Sequence, residues 1–131
     1  MTEHLPEAVL AVLDAPEFAT LATLQPDGQP QLSVVWFARD GDDLLISTVK
    51  GRRKHLNLMA DPRATVLVYP KANPYSYVEV RGTVSMTDAG GRELIDRLNL
   101  EYTGGDRYTG DDDSDNVRVV VRLTPTRVVV C

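Results

Sequence analysis

Phe18-Ala19-Thr20-Leu21-Ala22-Thr23-Leu24, then Gln25-Pro26-Asp27-Gly28-Gln29, then Pro30-Gln31-Leu32-Ser33-Val34-Val35-Trp36-Phe37-Ala38 is the stretch on which the fold turns. Two runs rich in β-branched, threonine and aromatic residues flank a Pro-Asp-Gly group, which is the chemistry of a tight hairpin. Asp40-Gly41-Asp42 supplies a second turn, and Asp43 to Val49 is a third run of the same kind. Strands over 18–24, 30–38 and 43–49, joined by turns this short, predict an antiparallel meander.

Working outward, Pro6 to Asp14 reads as a short helix with Val9, Leu10 and Leu13 on one face. After the meander, Leu56, Met59 and Ala60 recur at helical spacing, and Asp61-Pro62 ends that run. Arg63 to Tyr69 reads as a strand and Tyr75 to Met86 as a long extended segment, with a bulge or bend expected at Gly82. Asp88 can cap a helix whose core face is Leu94, Ile95, Leu98 and Tyr102. A Gly- and Asp-rich loop covers 103–116, and strands over 117–123 and 127–130 flank Thr124-Pro125-Thr126. Six or seven antiparallel strands with two helices and one short crossing helix predict a mainly β, α+β barrel with helical caps.

At 131 residues, 43% of them hydrophobic, the chain has the size and composition of a single folded domain, 1–131. A net charge of −5 disfavours a protein built to hold nucleic acid, which needs a basic face. The one cysteine, Cys131, allows no disulfide framework and no cysteine metal site within one chain. No signal-peptide pattern is visible from Met1 to Leu5, and the apolar runs are strand-sized, far below the ~20 residues of a membrane span. A soluble cytoplasmic protein, with no membrane partner, is the resulting expectation.

One local segment runs against the acidic balance. Lys50, Arg52, Arg53 and Lys54 put four cations in five residues where a strand gives way to a helix start. Helix N-termini carry a partial positive charge and unpaired N–H groups, so a basic first turn is unfavourable unless an anion neutralises it. A phosphate would use both the N–H groups and the side chains, and Gly51 would let the backbone approach it closely. On a helical wheel Arg53, Lys54 and Asn57 share a face, away from a Leu56–Met59 stripe expected to be buried. A solvated basic face is the other reading of this run taken alone.

The segments Ala19–Thr23, Pro26–Ser33, Lys54–Leu58, Asp61–Ala64, Tyr75–Tyr77 and Val80–Thr83, in that order and spacing, resemble the pyridoxamine 5′-phosphate oxidase-like split-barrel superfamily. Within it the chain is most similar to the branch that uses the deazaflavin coenzyme F420. The resemblance covers about residues 5 to 130 and implies an antiparallel, FMN-binding-like split β-barrel working as a homodimer. By position it implies that Gln31, Ser33, Val34 and Val35 lie along the cofactor ring, with Ser47 and Thr48 on the next strand past it. It further implies that Arg52, Lys54 and Asn57 hold the phosphate, and that Tyr75 and Tyr77 approach from the partner subunit. Lys50 and Arg53 would meet the negative tail of F420. Trp36 is larger than expected beside the ring; it either narrows the substrate side or packs in the dimer interface, and packing is the favoured reading.

Other residues invite chemistry and are read as structural. The acidic run Asp111, Asp112, Asp113 and Asp115 lacks the spacing of a calcium loop and reads as a solvated, mobile loop. His4 and His55 have no metal-ligand spacing, so no metal is expected; His55 either assists the anion or sits on the surface. No Ser–His–Asp or Cys–His arrangement is readable, which fits an enzyme whose cofactor carries the chemistry, and no catalytic side chain is assigned. The function this implies is hydride transfer between F420 and a small conjugated substrate. The alternatives are FMN in the same fold, a non-catalytic cofactor carrier, and an interaction module without cofactor.

Overall fold

The computed structural model describes residues 4–131, so the reading of Met1 to Glu3 lies outside the described residues. The elements run α1 (Glu7–Leu13), β1 (Ala19–Leu24), β2 (Pro30–Val35), β3 (Phe37–Asp40), β4 (Asp43–Val49), α2 (Arg53–Ala60), β5 (Arg63–Val68), β6 (Val78–Thr87), α3 (Gly91–Thr103) and β7 (Arg118–Val130). All strand pairs are antiparallel, in one seven-stranded sheet of order β2-β1-β5-β6-β7-β4-β3. This is the expected mainly β architecture with three helices.

The sheet order overturns the meander. β1 and β2 form the predicted hairpin, Ala19 opposite Val35 through Leu24 opposite Pro30. The stretch 30–38 is not one strand, however: it breaks at Trp36, and β3 pairs with β4 instead. β2 and β3 are therefore the two outer strands of the sheet, joined by a single residue. Two peptide links span only about 7 Å, so the sheet must curl until its edges meet at Trp36. Away from that point the edges part, which makes the barrel split.

Residue parity then sorts the side chains. Leu21, Val35, Leu44, Ile46, Val66, Val68, Val80, Val121 and Leu123 fill the inside, plugged by Leu5, Val9 and Leu13 from the α1 end and by Leu58 of α2. A second cluster of Ala38, Leu45, Leu94 and Leu98, with Trp36, Tyr102 and Val120 against it, glues α3 to the outer face of β3, β4 and β7. Tyr102 also fixes the Trp36 crossing: its hydroxyl accepts the Phe37 N–H at 3.2 Å and donates to the Glu17 carbonyl at 2.8 Å.

Three further expectations are corrected and one is met. The two expected terminal strands are one, Arg118–Val130, because Pro125 sits at the bulge beside Gly82, where a missing N–H is tolerated. The bulge itself is where Gly82 was expected to place it, between Arg81 and Gly82, and a Cβ there would overlap the Thr124 carbonyl. Tyr75 lies in a turn and β6 begins only at Val78. Gly90, in the left-handed region at φ 81°, is the N-cap of α3 rather than Asp88.

Candidate functional site

The split has two walls with unpaired backbone. β2 pairs only with β1, leaving its other edge open. β4 pairs with β3 up to Ile46 opposite Phe37, while its Ser47, Thr48 and Val49 pair only with β7. Ser33 on β2 and Thr48 on β4 each bury a hydroxyl that has no hydrogen-bond partner. A buried hydroxyl without a partner costs roughly 1–3 kcal/mol, so two on the flanking strands point to polar groups supplied from elsewhere. Both side chains share the inward face of their strands with Val35 and Ile46, and neither lines the cavity beside α2.

A cavity of about 260 Å³ opens between these strands, α2 and α3. Val34, Val35 and Trp36 line it from the β2 side, Ser47 from β4, Arg52 and Lys54 from the start of α2, and Arg118 from β7. Phe18 and Tyr108 complete an aromatic wall, with Trp36 stacked on Tyr102 at 5.4 Å and edge-on to Tyr108 at 6.4 Å. The cavity therefore joins a flat apolar surface to three cations. No acidic residue stands in the first turn of α2 and no side chain caps its N-terminus. Among the described residues no carboxylate pairs with Arg52, Arg53 or Lys54. Burial, and next the charges of Arg52 and Arg118, hold the Lys54 ammonium below the usual lysine range. A bound anion would favour the charge of a half-buried lysine kept beside two guanidinium groups.

The remaining predicted positions lie elsewhere. The face of α2 turned inward carries His55, Asn57 and Leu58, while Leu56 and Met59 are exposed, the reverse of the expectation. Asn57 is buried because β1 offers it a partner: its Nδ2 donates to Thr23 Oγ1 at 3.0 Å, and Thr23 donates to Gln31 Oε1 at 3.0 Å. Thr23 thus links Asn57 to Gln31, and Arg53 Nη1 lies 3.5 Å from Asn57 Oδ1. His55 is buried, not on the surface, and its Nδ1 accepts the Gly51 N–H at 3.0 Å, taking the donor that an anion at Gly51 would have used. Lys50 turns to Asp88, at 3.6 Å. Tyr75 is 80% exposed, and neither it nor Tyr77 reaches the cavity of its own chain. Trp36 packs on Tyr102 within its own chain and forms part of the cavity wall.

Sequence reading missed Phe18, Tyr108 and Arg118, and it misread Asp111. Asp111 is not a solvated loop residue; it is buried against Arg118, whose Nε donates to it at 2.6 Å. A lone carboxylate seven residues before a strand-opening arginine has no helical or strand spacing to betray it.

A curled antiparallel sheet whose edges part beside an aromatic wall and a cluster of cations, only one of them paired with a carboxylate among the described residues, is a split barrel. The chain belongs to the pyridoxamine 5′-phosphate oxidase family, whose model matches residues 5–130. Among solved structures it is similar to an F420 reductase, at 33% identity over 95% of this chain and 98% of that one, with a TM-score of 0.85. It is also similar to a conserved hypothetical protein of Mycobacterium tuberculosis, at 27% identity, covering 96% and 84%, TM-score 0.73. General stress protein 26 of Bacillus anthracis shares the fold, at 16% identity, covering 95% and 91%, TM-score 0.71. No helix among the described residues is long and apolar enough to cross a membrane.

Proposed function

We propose that this chain is an F420-dependent oxidoreductase that moves a hydride between the deazaflavin and a small conjugated substrate. The observation that carries the reading is the meeting, in one cleft, of an aromatic wall with Arg52, Lys54 and Arg118, with no carboxylate among the described residues paired with the first two. The similarity to a protein described as an F420 reductase supports it. The cofactor supplies the hydride chemistry. The chain's own work is to hold the ring along the open edges of β2 and β4, satisfy its polar atoms through the backbone groups of those edges and the Ser47 hydroxyl, and fix the anion with Arg52 and Lys54. Arg53, next to Lys54 on α2 and without a carboxylate partner among the described residues, would meet a long anionic tail, whereas Lys50 is turned to Asp88. FMN presents the same ring-and-phosphate pattern and is the second reading. Calorimetric titration is expected to give tighter binding for F420 than for FMN; an equal or better FMN affinity overturns the choice of cofactor. Turnover of reduced F420 with a panel of conjugated acceptors separates an enzyme from a carrier, and none with any acceptor overturns the oxidoreductase.

The second part of the proposal is a homodimer. About 260 Å³ lies at the lower end of ligand pockets, and its rim is open, with Val34 72% and Phe18 48% exposed. Leu32, Val34 and Tyr75 form exposed apolar surface beside an unpaired edge strand, which a monomer in water does not favour. A second copy packed there would wall the cleft and bring its own Tyr75 and Tyr77 to it. Light scattering should give twice the chain mass at micromolar concentration. A monomer that still binds the cofactor tightly would remove this step.

A further inference from the structure

Arg118 opens β7 opposite Val49 and faces the outer side of the sheet. Its Nε donates to Asp111 Oδ2 at 2.6 Å and its Nη2 to Asp111 Oδ1 at 3.0 Å, a two-point clamp. The Tyr108 ring lies under the guanidinium, 4.9 Å from centroid to Cζ. Both members of the pair are buried, with side chains only 10% and 8% exposed. A buried ion pair of this kind is a weak source of stability, since desolvation offsets most of the attraction. What it does supply is direction. With Nε and Nη2 committed to Asp111, the remaining amino group, Nη1, stands 3.4 Å from Ser47 Oγ on the cavity wall. Nη1 has a second N–H, and a Ser47 hydroxyl that accepts from it keeps its own proton to donate. The clamp is itself fixed: Asn116 Nδ2 donates to Asp111 Oδ1 at 2.8 Å, and the Tyr108 N–H donates to Asp96 Oδ1 at 2.9 Å on α3.

The charges add up in the same sense. Three cations (Arg52, Lys54, Arg118) less one carboxylate (Asp111) leave two positive charges on the cleft for its ligand to meet.

We propose that Arg118 is a further binding residue of the cleft, presenting Nη1 together with the Ser47 hydroxyl to an anionic oxygen of the bound cofactor, and that Asp111 is the positioning residue that aims it. This rests on the reading of the cleft as a cofactor site. Aim, rather than charge alone, is what distinguishes it from Lys54. Arg118→Lys keeps the charge, but one ammonium cannot both pair with Asp111 and reach the cleft.

The test is a titration with F420 read by the fluorescence of Trp36, the chain's single tryptophan and part of the cavity wall. Arg118→Lys is expected to raise Kd about tenfold or more, the scale of one lost hydrogen bond to a charged group. The neutral pair Asp111→Asn/Arg118→Gln keeps the packing without leaving a buried charge alone, so it guards against simple misfolding. It should lose affinity by a similar factor with little change in melting temperature. Because that pair leaves the net charge of the cleft unchanged, its loss should persist at high salt, whereas the loss in Lys54→Ala should shrink. Wild-type affinity in Arg118→Lys would overturn the aiming role of Asp111, and wild-type affinity in the neutral pair would overturn the contact itself. If Lys54→Ala alone loses affinity, the cofactor reading stands while this inference falls; if no variant loses it, both fall.

Discussion

Lys54→Ala is expected to weaken F420 binding by roughly 1.5–3 kcal/mol, tenfold to over a hundredfold in Kd, while leaving the free protein as stable as before or more so. The two signs have one cause. Burial first, then Arg52 and Arg118, already disfavour the Lys54 charge in the absence of an anion. Removing it relieves the folded state but takes a donor from the ligand. A lysine serving only the fold would show the opposite pattern, a lower melting temperature and an unchanged Kd. Calorimetry with F420 and a thermal melt of the free protein, for wild type and variant, read the two halves separately. An unchanged Kd would return the basic segment to a solvated face.

The same residue sets a pH dependence. Its folded-state pKa is lowered, so between that value and the ordinary lysine value the unfolded chain binds more protons than the folded one. Stability of the free protein therefore rises with pH through that window. Anion affinity moves the other way, falling as the ammonium deprotonates, and earlier than an ordinary lysine would. Lys54→Arg, whose charge persists, should remove the alkaline fall in affinity without changing the affinity near neutral pH by more than a few fold.

How much of this was legible in the sequence depended on the range of the interactions. The β1–β2 hairpin was readable because Pro26, Asp27 and Gly28 specify a turn within a few residues, and Gly28 does adopt φ 86°. The face of α3 was readable because Leu94, Ile95 and Leu98 share a stripe against the sheet. The switch at Trp36 was not. Val34 to Ala38 is an unbroken run of apolar residues, and only the distant partners Ala19 and Ile46 divide it between two strands. The burial of α2 was misjudged for a related reason. Leu56 and Met59 have core-like spacing, but Thr23, some thirty residues earlier and itself bonded to Gln31, offers Asn57 a hydrogen bond that favours turning its face in. The cationic character of the cleft was visible in Arg52 and Lys54, whereas its third cation depended on a pairing between a loop and a strand that no local pattern announces.

Gly91→Ala is expected to lower the stability of the chain and its affinity for F420 together, and the sign of the first effect is informative. Helix propensity alone predicts a gain, since Ala is favoured over Gly by about 1 kcal/mol in a helix. Gly91 opens α3 with no positive φ, so alanine meets no backbone strain there. Space decides otherwise. A Cβ at 91 would overlap the Arg118 carbonyl oxygen and stand 2.7 Å from its carbon, and the obstacle is backbone, which cannot rotate away. Overpacking of this kind costs roughly 1–3 kcal/mol or more, enough to outweigh the propensity term. Less the propensity term, a net loss of about 1–2 kcal/mol in a chain of this size is a fall of about 3–10 °C in melting temperature, measured at fixed protein concentration because assembly would otherwise shift it. The displaced residue is Arg118, whose guanidinium stands at the cleft, so F420 affinity should also drop at temperatures where the variant is fully folded. Gly82→Ala is the control. It meets the Thr124 carbonyl in the same way but lies at the β6–β7 bulge, away from the cleft, so it should lose stability and keep its Kd. A Gly91→Ala protein that melts at or above the wild-type temperature would show that α3 can move off β7 at no cost. An unchanged Kd alongside a lowered melting temperature would show instead that the start of β7 yields without disturbing Arg118.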